Sequence, residues 1–131
     1  MDDAFSYAKN SESSFNARIS AALVYKNRRL VNIETNSTRT HTFQFKYSQH
    51  EDAIYIHAEN AVIVNSLRKK LISYYDLPDC SIYVARSCTN KDHSHHYYGL
   101  AKPCAGCQRS IMEYNIGRVY YTTNENGVEE L

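Results

Sequence analysis

Apolar residues occur along the chain in short runs separated by polar segments, and the spacing within each run predicts its secondary structure. The continuous apolar run over residues 18–25 (RISAALVY) is typical of a buried strand. The polar segment at residues 26–28 predicts a turn, and residues 29–34 predict the returning strand of a hairpin. Residues 35–55 give no clear pattern beyond an extended piece near residues 43–47.

Helical spacing predicts three helices. Residues 2–14 favour a first helix. A second is predicted from residue 58 to about residue 74, because apolar residues recur there at steps of three and four before Pro78. The residues that define its inner face are Ala61, Val64, Leu67 and Leu71. A third is predicted from Pro103 to about residue 115, with proline at its first position and Gly117 at its stop.

Two further strands are predicted at residues 81–86 and 118–122, and the polar residues 88–102, rich in His and Tyr, predict a loop. Strands alternate with helices after the hairpin, which predicts an α/β sheet covered on both faces. The chain of 131 residues has no repeat or linker, so we expect one domain over residues 1–131.

Composition narrows the class of partner. The formal net charge of +1 argues against a large polyanionic substrate, because nucleic-acid binders usually carry a basic excess. No apolar run approaches the roughly 20 residues of a membrane helix, and the N-terminus lacks the pattern of a signal peptide. We therefore expect a cytoplasmic protein without a membrane partner.

Two short motifs carry candidate chemistry, and each opens a predicted helix. The first contains His57, and the second contains Cys104 and Cys107 in a P-C-x-x-C pattern. The two cysteines are three positions apart and thus share one helix face, in a first turn whose dipole favours thiolates. Together with a neutral imidazole they predict a tetrahedral zinc site whose fourth position is open, as catalytic zinc requires.

Glu59 follows His57 by two positions and is predicted to move protons rather than to bind the metal. Neither motif is specific alone, since H-x-E is common and C-x-x-C also occurs in redox proteins. Their combination in this order is the known pattern of zinc nucleobase deaminases. A disulfide framework is not expected for the four cysteines of a domain this size in a reducing compartment.

The motifs resemble the cytidine/deoxycytidylate deaminase superfamily. Residues 56–61 (IHAENA) and 102–108 (KPCAGCQ) resemble its two zinc motifs, and residues 116–121 (IGRVYY) are similar to the strand that follows in deoxycytidylate and tRNA adenosine deaminases. Residues 36–47 resemble small deaminase-like proteins of phages. The resemblance implies a three-layer fold with a mixed sheet of four to five strands between helices, one catalytic Zn²⁺, and hydrolytic deamination of a cytosine or adenine ring.

The resemblance also implies substrate contacts. An Asn at the end of the second strand contacts the sugar in the family, and Asn36 lies there, although a turn role is an equal alternative. His41, Ala58 and Pro103 are further candidate substrate contacts. Relatives are often dimers to hexamers, so a homo-oligomer is an open possibility.

The histidine-rich segment leaves two alternatives open. Cys88 with two of three nearby histidines would supply part of a second, structural zinc site, as in some deoxycytidylate deaminases. Alternatively the segment is a loop over the site in which Tyr97 or Tyr98 stacks on a base. The histidines concerned are His93, His95 and His96.

The sequence predicts a small-molecule nucleotide or nucleoside as the substrate, with deoxycytidine monophosphate (dCMP) preferred. Arg39, Lys102 or a helix N-terminus are candidate phosphate contacts. One alternative is a polynucleotide deaminase that acts on cytosine in single-stranded DNA or adenosine in tRNA. Another is a non-catalytic zinc or nucleotide-binding scaffold, although such a protein has no need of Glu59.

Overall fold

The computed structural model of the protein describes residues 1, 4–6, 17–36, 56–89 and 96–131. The strands are β1 (Ala17–Tyr25), β2 (Arg29–Thr35), β3 (Cys80–Thr89), β4 (His96–Gly99), β5 (Arg118–Thr122) and β6 (Val128–Glu130). The helices are α1 (Ala58–Arg68) and α2 (Ala105–Glu113), with a 3-10 helix at Tyr74–Asp79 and a helical turn at residues 4–6. The pieces of residues 2–14 and 35–55 for which helix or extended structure was predicted lie largely outside the described residues.

The strands form one mixed sheet in the order β2-β1-β3-β5-β6, with β4 paired to β3. The β1–β2 hairpin is confirmed, and its turn is closed by Lys26 and Asn27 at positive φ angles of 52° and 58°. Strands β3 and β5 are parallel and are joined through α2, whereas the other pairs are antiparallel. This sheet flanked by helices confirms the predicted fold class, with six strands rather than four to five.

The additional strands come from segments whose side chains are polar. Residues 88–102 are not all loop, because β3 continues to Thr89 and β4 returns beside it, with Arg86 opposite Gly99. Strand β6 follows a turn at Asn126 and pairs with β5. A strand ladder is held by backbone hydrogen bonds, so strands at an edge form without an apolar pattern.

Helices α1 and α2 cover one face of the sheet and enclose the main core. This core includes Leu23, Val62, Ile63, Leu77, Ile82, Val84, Ile111 and Val119. A smaller cluster on the other face joins Ala4 to Ala22 and Ala85, and the Ser20 hydroxyl donates to the Ala4 carbonyl. Residues 4–6 therefore pack on the face of the sheet opposite the two helices. Among the described residues, no helix has the length and apolar character needed to cross a membrane.

Helix α1 is shorter than predicted and is rotated relative to the predicted face. It ends at Arg68 because Lys70 adopts a left-handed conformation, φ 57°, and Leu71 N–H donates to Ser66 O. This is the Schellman closure, which the sequence did not indicate because it usually uses glycine. The buried residues of α1 centre on Ala58, Val62 and Ser66, whereas Leu71 is 40% exposed.

The ends of α2 also differ from the prediction. Pro103 is not the first helical residue as predicted, because the helix begins at Ala105 and Cys104 is its N-cap. Asn115, φ 58°, provides the left-handed closure, so Gly117 does not cap the helix. Gly117 instead passes close to another segment, where a Cβ would lie 2.3 Å from the Pro78 carbonyl oxygen. Its lack of a side chain lets α2 lead into β5 beside the start of β3.

Candidate metal centre and its cavity

The side chains of His57, Cys104 and Cys107 converge where α1 and α2 begin. His57 Nδ1 lies 3.4 Å from Cys107 Sγ and 3.7 Å from Cys104 Sγ. All three potential ligand atoms lie within 4.8 Å of one another. In the part of the chain that the structure describes, this is the one such cluster of His, Cys and acidic groups. The structure thus brings together the three residues that the sequence predicted as ligands.

Helix caps position the three groups. His57 is the N-cap of α1, with an extended backbone at φ −78° and ψ 154°, and its ring turns toward the cysteines instead of capping the helix. Cys104 is the N-cap of α2, and its Sγ accepts the Cys107 backbone N–H at 3.5 Å. Since Cys107 is the third residue of that helix, both sulfur atoms face His57. The prediction that His57 lies just before regular helix is confirmed.

The spacing fits a tetrahedral zinc ion. Zn–S bonds of about 2.3 Å and Zn–N bonds of about 2.0–2.1 Å at the tetrahedral angle place N and S about 3.6 Å apart. The two observed N–S distances, 3.4 and 3.7 Å, bracket that value. Two thiolates and one imidazole are also donors that zinc prefers. The three residues are therefore positioned to bind a metal ion and leave one tetrahedral position for another ligand.

Hydrogen bonds within the cluster already favour a thiolate. The Cys107 thiol and then the His57 ring donate to Cys104 Sγ, which lowers the pKa of Cys104 to about 3. The pKa of Cys107 is raised because its thiol donates to Cys104 and is buried. The pKa of His57 is raised chiefly by its hydrogen bond to Cys104. A bound divalent metal ion would take the place of the protons that the Cys107 thiol and the His57 ring share with Cys104, because metal ligands must be deprotonated.

Glu59 lies beside this cluster in the first turn of α1. Only 6% of its surface is exposed, and burial raises the pKa of its carboxyl group. Its carboxyl group also interacts with the Cys107 thiol, so it borders the metal position. A buried carboxyl group with a raised pKa is suited to accept and release a proton.

A polar pair that the sequence did not reveal joins the two helices behind the cluster. Asn60 and Ser110 are both fully buried, and Ser110 Oγ lies 2.5 Å from Asn60 Oδ1 and 2.8 Å from Cys107 O. The bond to the Cys107 carbonyl ties the pair to a potential metal ligand. It therefore fixes the relative position of α1 and α2, on which the ligand distances depend.

A cavity of about 250 Å³ opens beside the cluster. Among the predicted residues, His57, Glu59, Cys104, Asn36, Ala58 and Lys102 line it. Asn36 Oδ1 accepts the Ile19 backbone N–H at 3.1 Å, so its amide nitrogen is the group left for a ligand. Pro103 is buried and is not part of the lining, while His41 and Arg39 lie outside the described residues.

Cys80 and Tyr98 make their contacts outside the cluster, with Asp76 O and the Phe5 ring respectively. Burial, and then Asp76 and Asp79, raise the pKa of Cys80 to about 11, so it stays a protonated thiol at neutral pH. Tyr98 packs against Phe5 with ring centroids 4.6 Å apart.

The structure does not test the predicted second zinc site as a whole. Cys88 is half-buried on β3, and His96 Nδ1 lies 3.2 Å from Ser87 Oγ. His93 and His95 lie outside the described residues. The second site therefore stays a prediction.

Sequence reasoning also missed Arg86, which lines the cavity from β3. A single arginine near the end of a strand is usually exposed to solvent, so no feature of the sequence selected Arg86. Its position became evident only from the strand register, which places Gly99 opposite it.

Comparison with known families agrees with the geometry. The family model described as the cytidine and deoxycytidylate deaminase zinc-binding region matches residues 1–123. No curated protein matches the chain by sequence. The family match covers both helices that carry the His/Cys/Cys cluster, and it supports zinc binding and deaminase-type chemistry in general. The chain therefore belongs to the cytidine and deoxycytidylate deaminase family of zinc-dependent hydrolytic deaminases.

Proposed function

We propose that this chain deaminates a free cytosine nucleotide, with dCMP as the preferred substrate, and that Glu59 is its proton-transfer residue. The observation that carries the proposal is the Glu59 carboxyl group, which is buried beside three potential zinc ligands and faces a cavity. A purely structural zinc site has no use for a buried carboxyl group at this position. The scaffold alternative is therefore disfavoured.

His57, Cys104 and Cys107 are the proposed ligands. When bound there, zinc would supply a water molecule acidic enough to act as a nucleophile near neutral pH. The reaction forms a C–O bond at C4 of cytosine and breaks the bond from C4 to the exocyclic nitrogen, which leaves as ammonia. Glu59 takes one proton from the water and delivers it to the adjacent ring nitrogen. It then takes the second proton from the new hydroxyl group at C4 and delivers it to the leaving amine.

The other lining residues orient the substrate. The Ala58 N–H is in the first turn of α1, where backbone donors lack intrahelical acceptors. The Asn36 amide nitrogen is held toward the cavity by the bond from Ile19 to its oxygen. These two donors suit the carbonyl group of a pyrimidine and a sugar hydroxyl group, respectively.

A small monomeric substrate is favoured over a polynucleotide. The cavity of about 250 Å³ is slightly smaller than typical ligand pockets of about 300–1,000 Å³. The net charge of +1 is also low for a protein that tracks a phosphate backbone. No observation on the described residues specifically favours the polynucleotide alternative.

An ammonia-release screen tests the proposal. Purified zinc-loaded protein is offered cytidine, deoxycytidine, their monophosphates, the adenine equivalents and a cytosine-containing oligonucleotide at equal base concentration. We expect the highest kcat/KM for dCMP. A kcat/KM for the oligonucleotide at least about tenfold above those of all monomers would contradict the monomeric substrate. Release from none of the compounds would contradict deamination of these substrates.

A further inference from the structure

Arg86 introduces a positive charge at the end of an otherwise apolar strand face. Side chains alternate across β3, so Arg86 lies on the same face as Ile82 and Val84, which belong to the main core under α1 and α2. Arg86 follows Val84 on this face and borders the cavity that contains Glu59. A charge at this position is costly to bury unless it has a partner.

The neighbouring strands hold the Arg86 side chain in place. Its Cα is paired with Ile19 on β1 and with Gly99 on β4. A Cβ on Gly99 would lie 2.5 Å from Cys88 Sγ, 2.9 Å from Arg86 Cδ and 3.1 Å from Arg86 Cγ, so the Cys88 thiol and the arginine stem together fill the space beside this glycine. Nη1 donates weakly, at 3.4 Å, to the Leu100 carbonyl. The guanidinium group is thus positioned by packing along its stem.

The guanidinium group lacks a full set of partners. Its Nε is buried, and among the described residues no acceptor is bonded to it. No described carboxylate forms an ion pair with Arg86 either. Arginine stays charged at all accessible pH values. A group that is positioned, charged and incompletely paired beside a ligand cavity is suited to bind an acceptor from the ligand.

The charges of the cavity favour an anion as that acceptor. Among the described lining residues, Arg86 and Lys102 are cationic and Glu59 is the only acid. Two thiolate ligands would neutralise a bound Zn²⁺, which leaves the excess positive charge on the side of Arg86 and Lys102. The planar fork of arginine also matches two phosphate oxygens at once, which an ammonium group cannot do.

We propose that Arg86 is a specificity residue that binds the phosphate group of the substrate and makes the enzyme prefer a nucleoside monophosphate to a nucleoside. This inference rests on the proposed function, because it assigns the phosphate end of the same substrate. Lys102 supports it as an exposed second cation. The sequence predicted Lys102 for this role but gave no indication of Arg86.

Binding of the reaction product tests the proposal without turnover. Dissociation constants of deoxyuridine monophosphate and deoxyuridine are measured by calorimetry on the zinc-loaded protein. We expect the monophosphate to bind at least about 30-fold more tightly, and Arg86→Met to reduce that ratio to about threefold or less. Arg86→Lys should give an intermediate ratio, because it keeps the charge but loses the fork.

Arg118→Met is the matched control. It removes the same charge from β5, where the Arg118 side chain is 62% exposed and lies 3.8 Å from Glu130. The phosphate preference of this variant should equal that of the wild type. Zinc content and thermal unfolding establish that each variant is folded. If Arg86→Met does not fold, competition by inorganic phosphate is measured on the wild type instead. Inorganic phosphate should compete with the monophosphate but not with deoxyuridine.

Three results would overturn the proposal. The first is equal affinity of the wild type for deoxyuridine monophosphate and deoxyuridine. The second is equal weakening of both compounds by Arg86→Met. The third is an oligonucleotide that binds through Arg86 at least about tenfold more tightly than the monophosphate. The last result would make Arg86 a polynucleotide contact. A phosphate preference in binding without ammonia release from any cytosine compound would support the assignment of Arg86 and contradict the proposed reaction, so the two failures are distinguishable.

Discussion

The two ends of α1 and α2 are built in different ways. At their N-terminal ends, the cap residues His57 and Cys104 point their side chains at each other across the cluster. At their C-terminal ends, Lys70 and Asn115 adopt left-handed conformations and close each helix with the same pair of backbone hydrogen bonds. The C-terminal ends therefore satisfy their own backbone groups, whereas the N-terminal ends use their cap positions to hold reactive side chains.

The larger cavity does not lie at the end that holds the reactive side chains. A cavity of about 470 Å³ lies at the C-terminal end of α1, lined by Lys70, Leu71 and Asp76 among others. The cavity at the N-terminal end is about 250 Å³. The smaller one contains the donor cluster and the buried Glu59. The difference teaches that substitutions at the N-terminal ends should affect metal binding and turnover, while those at the C-terminal ends should affect only stability.

Loss of a ligand should have the largest effect. Cys107→Ala is expected to reduce zinc from about one ion per chain to a small fraction and to abolish detectable turnover, because two donors alone bind zinc weakly. Cys80→Ala is the control, since Cys80 is equally buried but lies outside the cluster. Elemental analysis checks both variants. Full zinc content in Cys107→Ala would remove it from the ligand set, and about two ions per wild-type chain would support the additional site at Cys88.

Glu59→Gln should have the next largest effect. The amide cannot accept a proton, so we expect kcat to fall by about 10²–10⁴-fold while zinc content is maintained. Glu125→Gln, at an exposed turn, should leave kcat unchanged within about twofold. Steady-state kinetics and elemental analysis provide the measurement. Loss of zinc in Glu59→Gln would instead identify Glu59 as a ligand.

Gly117→Ala examines the opposite end of the molecule. The new Cβ would lie 2.3 Å from the Pro78 carbonyl oxygen, so backbone must move, and we expect a loss of about 1–3 kcal/mol in the free energy of unfolding. Gly127→Ala meets only the Thr123 hydroxyl at 3.3 Å and should cost less than about 0.5 kcal/mol. Urea denaturation measures both. A selective fall in kcat of fully folded Gly117→Ala would break the contrast between the two ends.

Lys70→Gly should have the smallest effect and should be stabilising. Glycine relieves the left-handed strain at φ 57° at some cost in unfolded-chain entropy, so we expect a gain of up to about 1 kcal/mol. Lys69→Gly makes the same change in charge at φ −82° and should instead destabilise the protein by about 0.5–1 kcal/mol. Equal urea midpoints for the two variants would show that the left-handed closure carries no strain.

The sequence predicted the fold wherever side chains report directly on structure. The apolar run of β1 and the whole of β5 were predicted to within one residue, because strands in a covered sheet need apolar side chains. Strand β4 was missed because pairing with the extended end of β3, rather than its own composition, makes it a strand. The end of α1 was missed because Leu67 and Leu71 continue the helical spacing, while Lys70 gives no sign of a left-handed turn.

The candidate site shows the same division. The ligand cluster was predicted because its residue types and spacing are tied to helix starts, which are local features. Arg86, Asn60 and Ser110 were missed because their importance depends on contacts between segments distant in sequence, such as the Ser110–Asn60 bond across 50 positions. A buried polar residue cannot be distinguished from an exposed one until its tertiary partners are known.

The separation of the ligands along the chain has a further consequence. His57 and Cys107 are 50 positions apart, so a metal held by both closes a long loop that contains α1, β3 and β4. By the chain-entropy relation, a permanent cross-link of that span would raise the free energy of the denatured state by about 4 kcal/mol. Zinc would thus act on this chain as a removable cross-link that, unlike a disulfide, forms without an oxidant.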